Sequence, residues 1–159
     1  MQQSRPTGNI RAMVQADFDA RLDQIMKLAL LANPKASRDL YKQYILKIFK
    51  EFPNLAFVAV DDDKLVGFVM GSLQEEQGEI EDLAIIENHR RKGLGKKLVE
   101  SVVSAMKSSG AKRALVWVTW RNTASIPFYY GIGFRFLHCE RDKVTPGETA
   151  DVIYLEKYM

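Results

Sequence analysis

Cysteine is almost absent from this 159-residue chain. Cys139 stands alone, which excludes an internal disulfide. Histidine is nearly as scarce: His89 and His138 are the two present. With one cysteine they are too few for the four nitrogen and sulfur ligands of a structural zinc site, so no metal is expected. Neither histidine has a partner at ligand spacing, and surface or packing positions are expected for both. His138 and Cys139 are neighbours on a strand-like stretch and would point to opposite faces, not form a nucleophile–base pair. No apolar run approaches the ~18 residues of a membrane span, so no membrane partner is expected. The opening residues, MQQSRPTGN, are polar and lack the apolar core of a secretory signal. A cytoplasmic location is the expectation. Strong charge of one sign is missing too. Lys and Arg number 23, Asp and Glu 20, a net charge of +3. That is too little to mark a nucleic-acid binder.

What is present is ordinary for a globular chain: 47% hydrophobic and 27% charged residues. The length suits one domain with a sizeable core. Residues 1–8 read as a loose tail and 9–159 as the domain. NIRAMV over 9–14 reads as a short strand. Asp17 is a candidate cap for a helix to about Ala32, with Phe18, Leu22, Ile25, Met26 and Ala29 on one face. Pro34 ends it. Ser37 can cap a second helix, in which Tyr41, Tyr44, Ile45, Ile48 and Phe49 recur at helical spacing until Pro53.

The period then changes to two. LAFVAV (55–60) and LVGFVMGSL (65–73) read as strands joined by the DDDK turn, and EIEDLAII (79–86) as a third. A helix ends near Ser109, with Leu98, Val102 and Met106 on its inner face. ALVWVTW (114–120) is nearly all apolar, the pattern of a central strand buried on both faces, with Trp117 and Trp120 packed in the sheet. A short helix near 126–130 and strands near 134–141 and 151–158 complete one α/β domain with more strands than helices.

RRKGLGKK, Arg90 to Lys97, lies between a strand and a helix. Glycine costs about 1 kcal/mol in a helix relative to alanine, and five basic residues crowd the turn. The first N–H groups of a helix lack internal partners and carry the positive end of its dipole. Glycines remove side chains that would keep a bulky anion from those amides, which makes a phosphate cradle. A Walker A loop is excluded, because Lys97 stands where Ser or Thr belongs. A dinucleotide fingerprint is excluded, because Leu98 stands where the third glycine belongs. Taken alone, the segment reads equally as a solvated basic helix start.

NTASIPFYYGIGF, residues 122–134, follows: Asn122, then Tyr129 seven residues on, then Gly133-Phe134. Together the two segments resemble the GCN5-related N-acetyltransferase (GNAT) superfamily. Arg90-x-x-Gly93-x-Gly95 matches its motif A. Asn122, Tyr129 and Gly133-Phe134 match its motif B in order and spacing. The resemblance is good over 55–136 and extends to the whole order of elements. It implies a single GNAT-like α/β domain, with a mixed, mostly antiparallel central sheet of six to seven strands and about four helices.

The resemblance also implies acetyl-CoA as cosubstrate and direct acetyl transfer to an amine of a small molecule, peptide or protein. It would be held by main-chain amides over Arg91, Lys92, Gly93, Leu94, Gly95 and Lys96, with Arg90, Asn122 and Ser125 nearby. The pantetheine arm would add beside the strand at Leu83, Ala84, Ile85 and Ile86, satisfying main-chain groups left open by a splayed sheet. Tyr129 is the candidate general acid, with a packed aromatic as its bland reading. Glu79 and Glu81 are candidate bases, both on one strand face by alternation; each also reads as a solvated carboxylate. Pro127 lies in the motif B helix, and Ser125 is expected as its cap. Monomer and homodimer both remain open. Two other classes compete: a non-catalytic acyl-CoA-binding or regulatory module on the same fold, and a nucleic-acid domain using the basic stretch. The second calls for basic residues spread among exposed aromatics, whereas here they cluster at one helix start, so no nucleic acid is expected. The acceptor-side loops, 32–37 and 142–149, carry no specificity signature.

Overall fold

The computed structural model describes residues 8–32, 34, 36–145 and 148–159. Apart from Gly8, the tail expected over 1–8 lies outside the described residues. Strand β1 (Asn9–Ala12) leads to helices α1 (Gln15–Ala32) and α2 (Arg38–Glu51). Strands β2 (Ala56–Asp61), β3 (Lys64–Gln74) and β4 (Gln77–Ile85) then form a meander. Helix α3 (Leu94–Ser108), β5 (Arg113–Thr119), the short α4 (Ser125–Gly131), β6 (Arg135–Thr145) and β7 (Glu148–Tyr158) complete the chain.

The strands make one sheet in the order β1-β2-β3-β4-β5-β7-β6. Its pairs are antiparallel except β4 with β5, which run parallel. Helices α1 and α2 cover one face through Phe18, Ile25, Ile45 and Phe49 against Val58 and Phe68. Helix α3 covers the other, with Leu98, Val102 and Met106 against Val69, Val116 and Leu155. Close approach of α3 needs glycine beneath it. A Cβ on Gly78 would lie 2.4 Å from Met106 Sδ, and one on Gly71 2.5 Å from Met106 Cε. Strand periodicity and helix periodicity therefore agree on one core split into two layers by the sheet.

Several boundaries differ from expectation, each for a local reason. Asp17 does not cap α1, which begins two residues earlier. It sits at the third helical position and accepts the Val14 N–H at 2.8 Å, the backward half of a capping box. It also takes both guanidinium nitrogens of Arg11, at 2.6 and 2.8 Å, which ties β1 to α1. Ser37 does occupy the cap position of α2, without a side-chain capping bond. Ser125 is not a cap: Ala124 holds that position and Ser125 is the first residue of α4. Pro127 then falls in the first turn, where its missing N–H costs nothing. Trp120 is outside the sheet. The strand stops at Thr119, and Trp120 opens a 3-10 turn with 55% of its surface exposed.

Candidate active site

The one parallel pair decides where the site lies. Strands β4 and β5 pair only over Gln77, Gly78 and Glu79, opposite Arg113, Ala114 and Leu115. Beyond that they splay, and a cleft of about 910 Å³ opens between them. Arg113 braces the closed end, donating to Gln77 Oε1 and to Glu156 Oε2. The cleft is walled by Glu81 to Ile85 on β4 and by Val116 to Thr119 on β5. At one mouth stand Arg90, Arg91, Gly93, Gly95 and Lys96; at the other stand Leu31, Pro34 and Ala36, with Ala150 of β7.

The geometry of the turn before α3 follows from backbone angles. Arg91 and Gly93 both adopt left-handed φ, +60° and +82°. The first bond of α3 is Lys97 N–H to Gly93 O at 3.1 Å, so the amides of Leu94, Gly95 and Lys96 precede any internal partner. A Cβ on Gly93 would meet nothing within 4 Å, so the space in front of the turn is open. Gly95 differs: a Cβ there would come within 3.2 Å of Ile85 and Phe128. It is the residue that lets the first turn of α3 sit down on β4 and α4. Arg90 reaches back, Nε donating to Ile85 O at 2.9 Å, and ties the turn to the end of β4. His89 ties the same segment to β2. Its Nε2 lies 2.8 Å from Asp61 Oδ2, at the end of β2. His138 stacks on Tyr154, and Cys139 is exposed.

The main-chain groups of β4 alternate between its two neighbours. The Ile86 N–H donates to Val66 O at 2.9 Å. That amide is spent on the residue before Gly67 in β3, which corrects the expectation that it is unpaired. Ala84 turns the same way, and Leu83 and Ile85 turn to the splay. Leu94, expected at the cradle, has its side chain in the core, 3% exposed, so only its backbone is at the turn. Lys92, Ile86 and Leu94 are not among the residues walling the cleft; Leu83, Ala84, Ile85, Asn122 and Ser125 are.

Tyr129 also walls the cleft, one turn into α4 and 6% exposed. Phe128 and Phe134 hold its ring edge-on, centroids 5.0 and 5.5 Å away. Burial raises its hydroxyl well above the ordinary phenol range, and the charge of Asp82 adds to the effect. Tyr129 is therefore a neutral donor at physiological pH.

The carboxylates of β4 are arranged by a bulge. Met70 pairs with Asp82 but Gly71 with Ile80, which leaves Glu81 as an extra residue. Glu79 and Glu81 share a face, as alternation requires. The extra residue turns Asp82 onto that face as well, beside Glu81. On this side the hydroxyl of Tyr41 donates to Asp82, and those of Tyr44 and Ser72 donate to Glu81, the last at 2.5 Å. Glu81 and Asp82 wall the cleft, whereas Glu79 stands in the closed, paired stretch. Asp82 is 6% exposed, and burial pushes its carboxyl up to about 7 against the opposing pull of Tyr41 and the Leu83 amide. Sequence reading passed over Asp82 because alternation sends it to the α3 face. The signal available was three acids in four residues ahead of an apolar strand end.

Comparison with known proteins fits this geometry. Residues 22–134 match the model of the Acetyltransferase (GNAT) family. The chain is 28% identical over 143 residues to an N-alpha-acetyltransferase of Sulfurisphaera tokodaii, covering 81% of this chain and 83% of that protein. It is 30% identical over 100 residues to N-alpha-acetyltransferase 30 of Schizosaccharomyces pombe, covering 59% and 67%. Among solved structures, a chain of the NatC complex bound to Gag peptide and CoA superposes with TM-score 0.77 at 19% identity, over 96% of this chain and 99% of that one. The chain belongs to the GNAT acetyltransferase family.

Proposed function

We propose that this acetyl-CoA-dependent N-acetyltransferase acts on the α-amine at the start of a peptide or protein. The observation that carries this reading is the shape of the cleft. Its lining extends past the splay to Leu31, Pro34 and Ala36 of the α1–α2 connection and to Ala150 of β7. An extended chain can enter there amine first. The relatives named N-alpha-acetyltransferase support the same reading. Residues 33, 35, 146 and 147 of the loops expected on this side lie outside the described residues.

Acetyl-CoA supplies the acetyl group as an activated thioester. The amides of Leu94, Gly95 and Lys96 would hold its pyrophosphate, with Arg91 and Lys96 raising the local potential. Hydrogen bonds to a charged acceptor are worth about 1.5–3 kcal/mol each, so three suffice to anchor it. Leu83 and Ile85 would offer main-chain groups to the pantetheine arm, in the manner of an added strand. Tyr129 donates toward the departing sulfur from the opposite wall.

The acceptor is tested with one peptide carrying a free N-terminus and one lysine, its N-terminally blocked twin, and spermidine. Fragmentation mass spectrometry locates the acetyl group. The expected result is modification of the α-amine alone and none of the blocked peptide. Acetylation confined to lysine or spermidine would sink this reading.

A further inference from the structure

We propose that Asp82 is the group that takes the proton from the acceptor ammonium, while Glu81 beside it holds that ammonium's charge. The inference deepens the acetyltransferase reading and rests on it.

Three observations carry it. First, the bulge at Glu81 puts two consecutive carboxylates on one side of β4 and into one cleft wall. Second, their hydrogen bonds differ. Both oxygens of Glu81 already accept hydroxyls, Oε2 from Tyr44 and Oε1 from Ser72. Asp82 accepts the Tyr41 hydroxyl and the Leu83 amide, and among the described residues no cation pairs with it. A buried carboxylate without a cation is costly, and an ammonium entering the cleft supplies the missing partner. Third, Asp82 and Tyr129 face the same cleft from β4 and α4, close enough for the charge of one to act on the other. The other titratable groups facing Asp82 are Tyr41 and Tyr44 of α2, with Glu81 and Glu79 on its own strand. Burial brings Asp82 to about 7 and lifts Tyr129 far higher. One is thus poised to accept a proton near neutral pH and the other to keep its own, the separation expected of a base and an acid.

The protons balance as follows. The ammonium gives one proton to the Asp82 carboxylate, which exposes the nitrogen lone pair. That lone pair forms the bond to the thioester carbonyl carbon, and the carbon–sulfur bond breaks. As it breaks, Tyr129 gives its proton to sulfur and takes the second nitrogen proton, so no phenolate accumulates. Asp82 returns its proton to solvent.

The test uses the free-N-terminus peptide as amine, with acetyl-CoA saturating. In the wild type, kcat/KM should rise with pH through an ionisation near 7. Asp82→Asn should lower kcat by about 10²-fold or more, replace the ionisation near 7 by that of the peptide amine itself, at ~8, and leave acetyl-CoA affinity unchanged. Asp82→Glu should restore part of the rate and the ionisation near 7. Glu81→Gln should raise the peptide KM more than it lowers kcat. Carbon-13 NMR of the protein alone should show one carboxyl titrating near 7 that disappears in Asp82→Asn. The proposal is overturned if Asp82→Asn keeps the ionisation near 7, if Glu79→Gln removes it instead, or if every carboxyl titrates in the ordinary range around 4. If only spermidine is acetylated, the acceptor reading fails separately, and the same profile is run on spermidine.

Discussion

At the scale of single residues, two positions carry the sharpest consequences. Tyr129 loses only a hydroxyl on replacement by phenylalanine, and its ring contacts with Phe128 and Phe134 survive. Tyr129→Phe should lower kcat by about 10²–10⁴-fold, with acetyl-CoA affinity unchanged by calorimetry. A wild-type kcat would reduce Tyr129 to a packing residue. Gly93 matters for its backbone. A Cβ at that position meets no neighbour, so the cost of a side chain is conformational, from φ +82°. A β-branched residue is poorly tolerated there. Gly93→Val should weaken acetyl-CoA binding by distorting the turn and filling the space before it, while the fold survives, because the turn is at the surface. Unchanged affinity in a calorimetric titration would show that the cradle lies elsewhere.

At the scale of elements, the join between β1 and α1 rests on one buried carboxylate. Asp17 is 4% exposed and holds both Arg11 nitrogens and the Val14 amide. Its hydrogen bonds to Arg11 keep its carboxyl below the usual range. The stability it contributes is therefore present above the unfolded pKa and is lost as pH falls through the lowered folded value. Asp17→Asn leaves a guanidinium without its counter-charge and should cost about 1–3 kcal/mol at pH 7. The difference from wild type should shrink in strong acid, read as the urea midpoint at both pH values. A midpoint equal to wild type at pH 7 would mean that β1 is held by its pairing with β2 alone. The bulge in β4 is the other element-scale device. One extra residue in that strand sets which carboxylates face α2.

For the whole molecule, the buried Asp82 sets function against stability. Its raised pKa means that the native state holds a proton which the unfolded chain has already released. That contribution to stability is complete below the unfolded value of about 3.9 and is lost as pH rises through about 7. Asp82→Asn keeps the acceptor for Tyr41 and removes the charge. The melting temperature of the variant, relative to wild type, should therefore rise between pH 4 and pH 8 even as activity is lost. The gain is on the order of a few kcal/mol at most. Wild-type and variant curves that stay parallel across that range would show that the carboxyl is not desolvated as described.

Much of this was legible in one dimension. Hydrophobic period assigned α1, α2, α3 and the strands, because each helix buries one face and leaves the other in water while the central strands, covered on both faces, read as apolar runs. RRKGLGKK and the Asn122-to-Phe134 segment marked the turn before α3 and the α4 wall of the cleft, because glycines and unpartnered helix-start amides are a local property of the chain. The acid pair was not legible. Whether Glu79, Glu81 or Asp82 reaches the cleft depends on a register shift against β3 and on where β4 leaves β5. Both are set by strands and helices distant in sequence: Met70 and Gly71 across the pair, Met106 pressing on Gly71 and Gly78, and Arg113 closing the paired end. The sequence by itself determined the elements and the glycine-rich turn that opens α3. Only the tertiary structure decided which carboxylate is buried, since burial and register belong to neighbours and not to the residue.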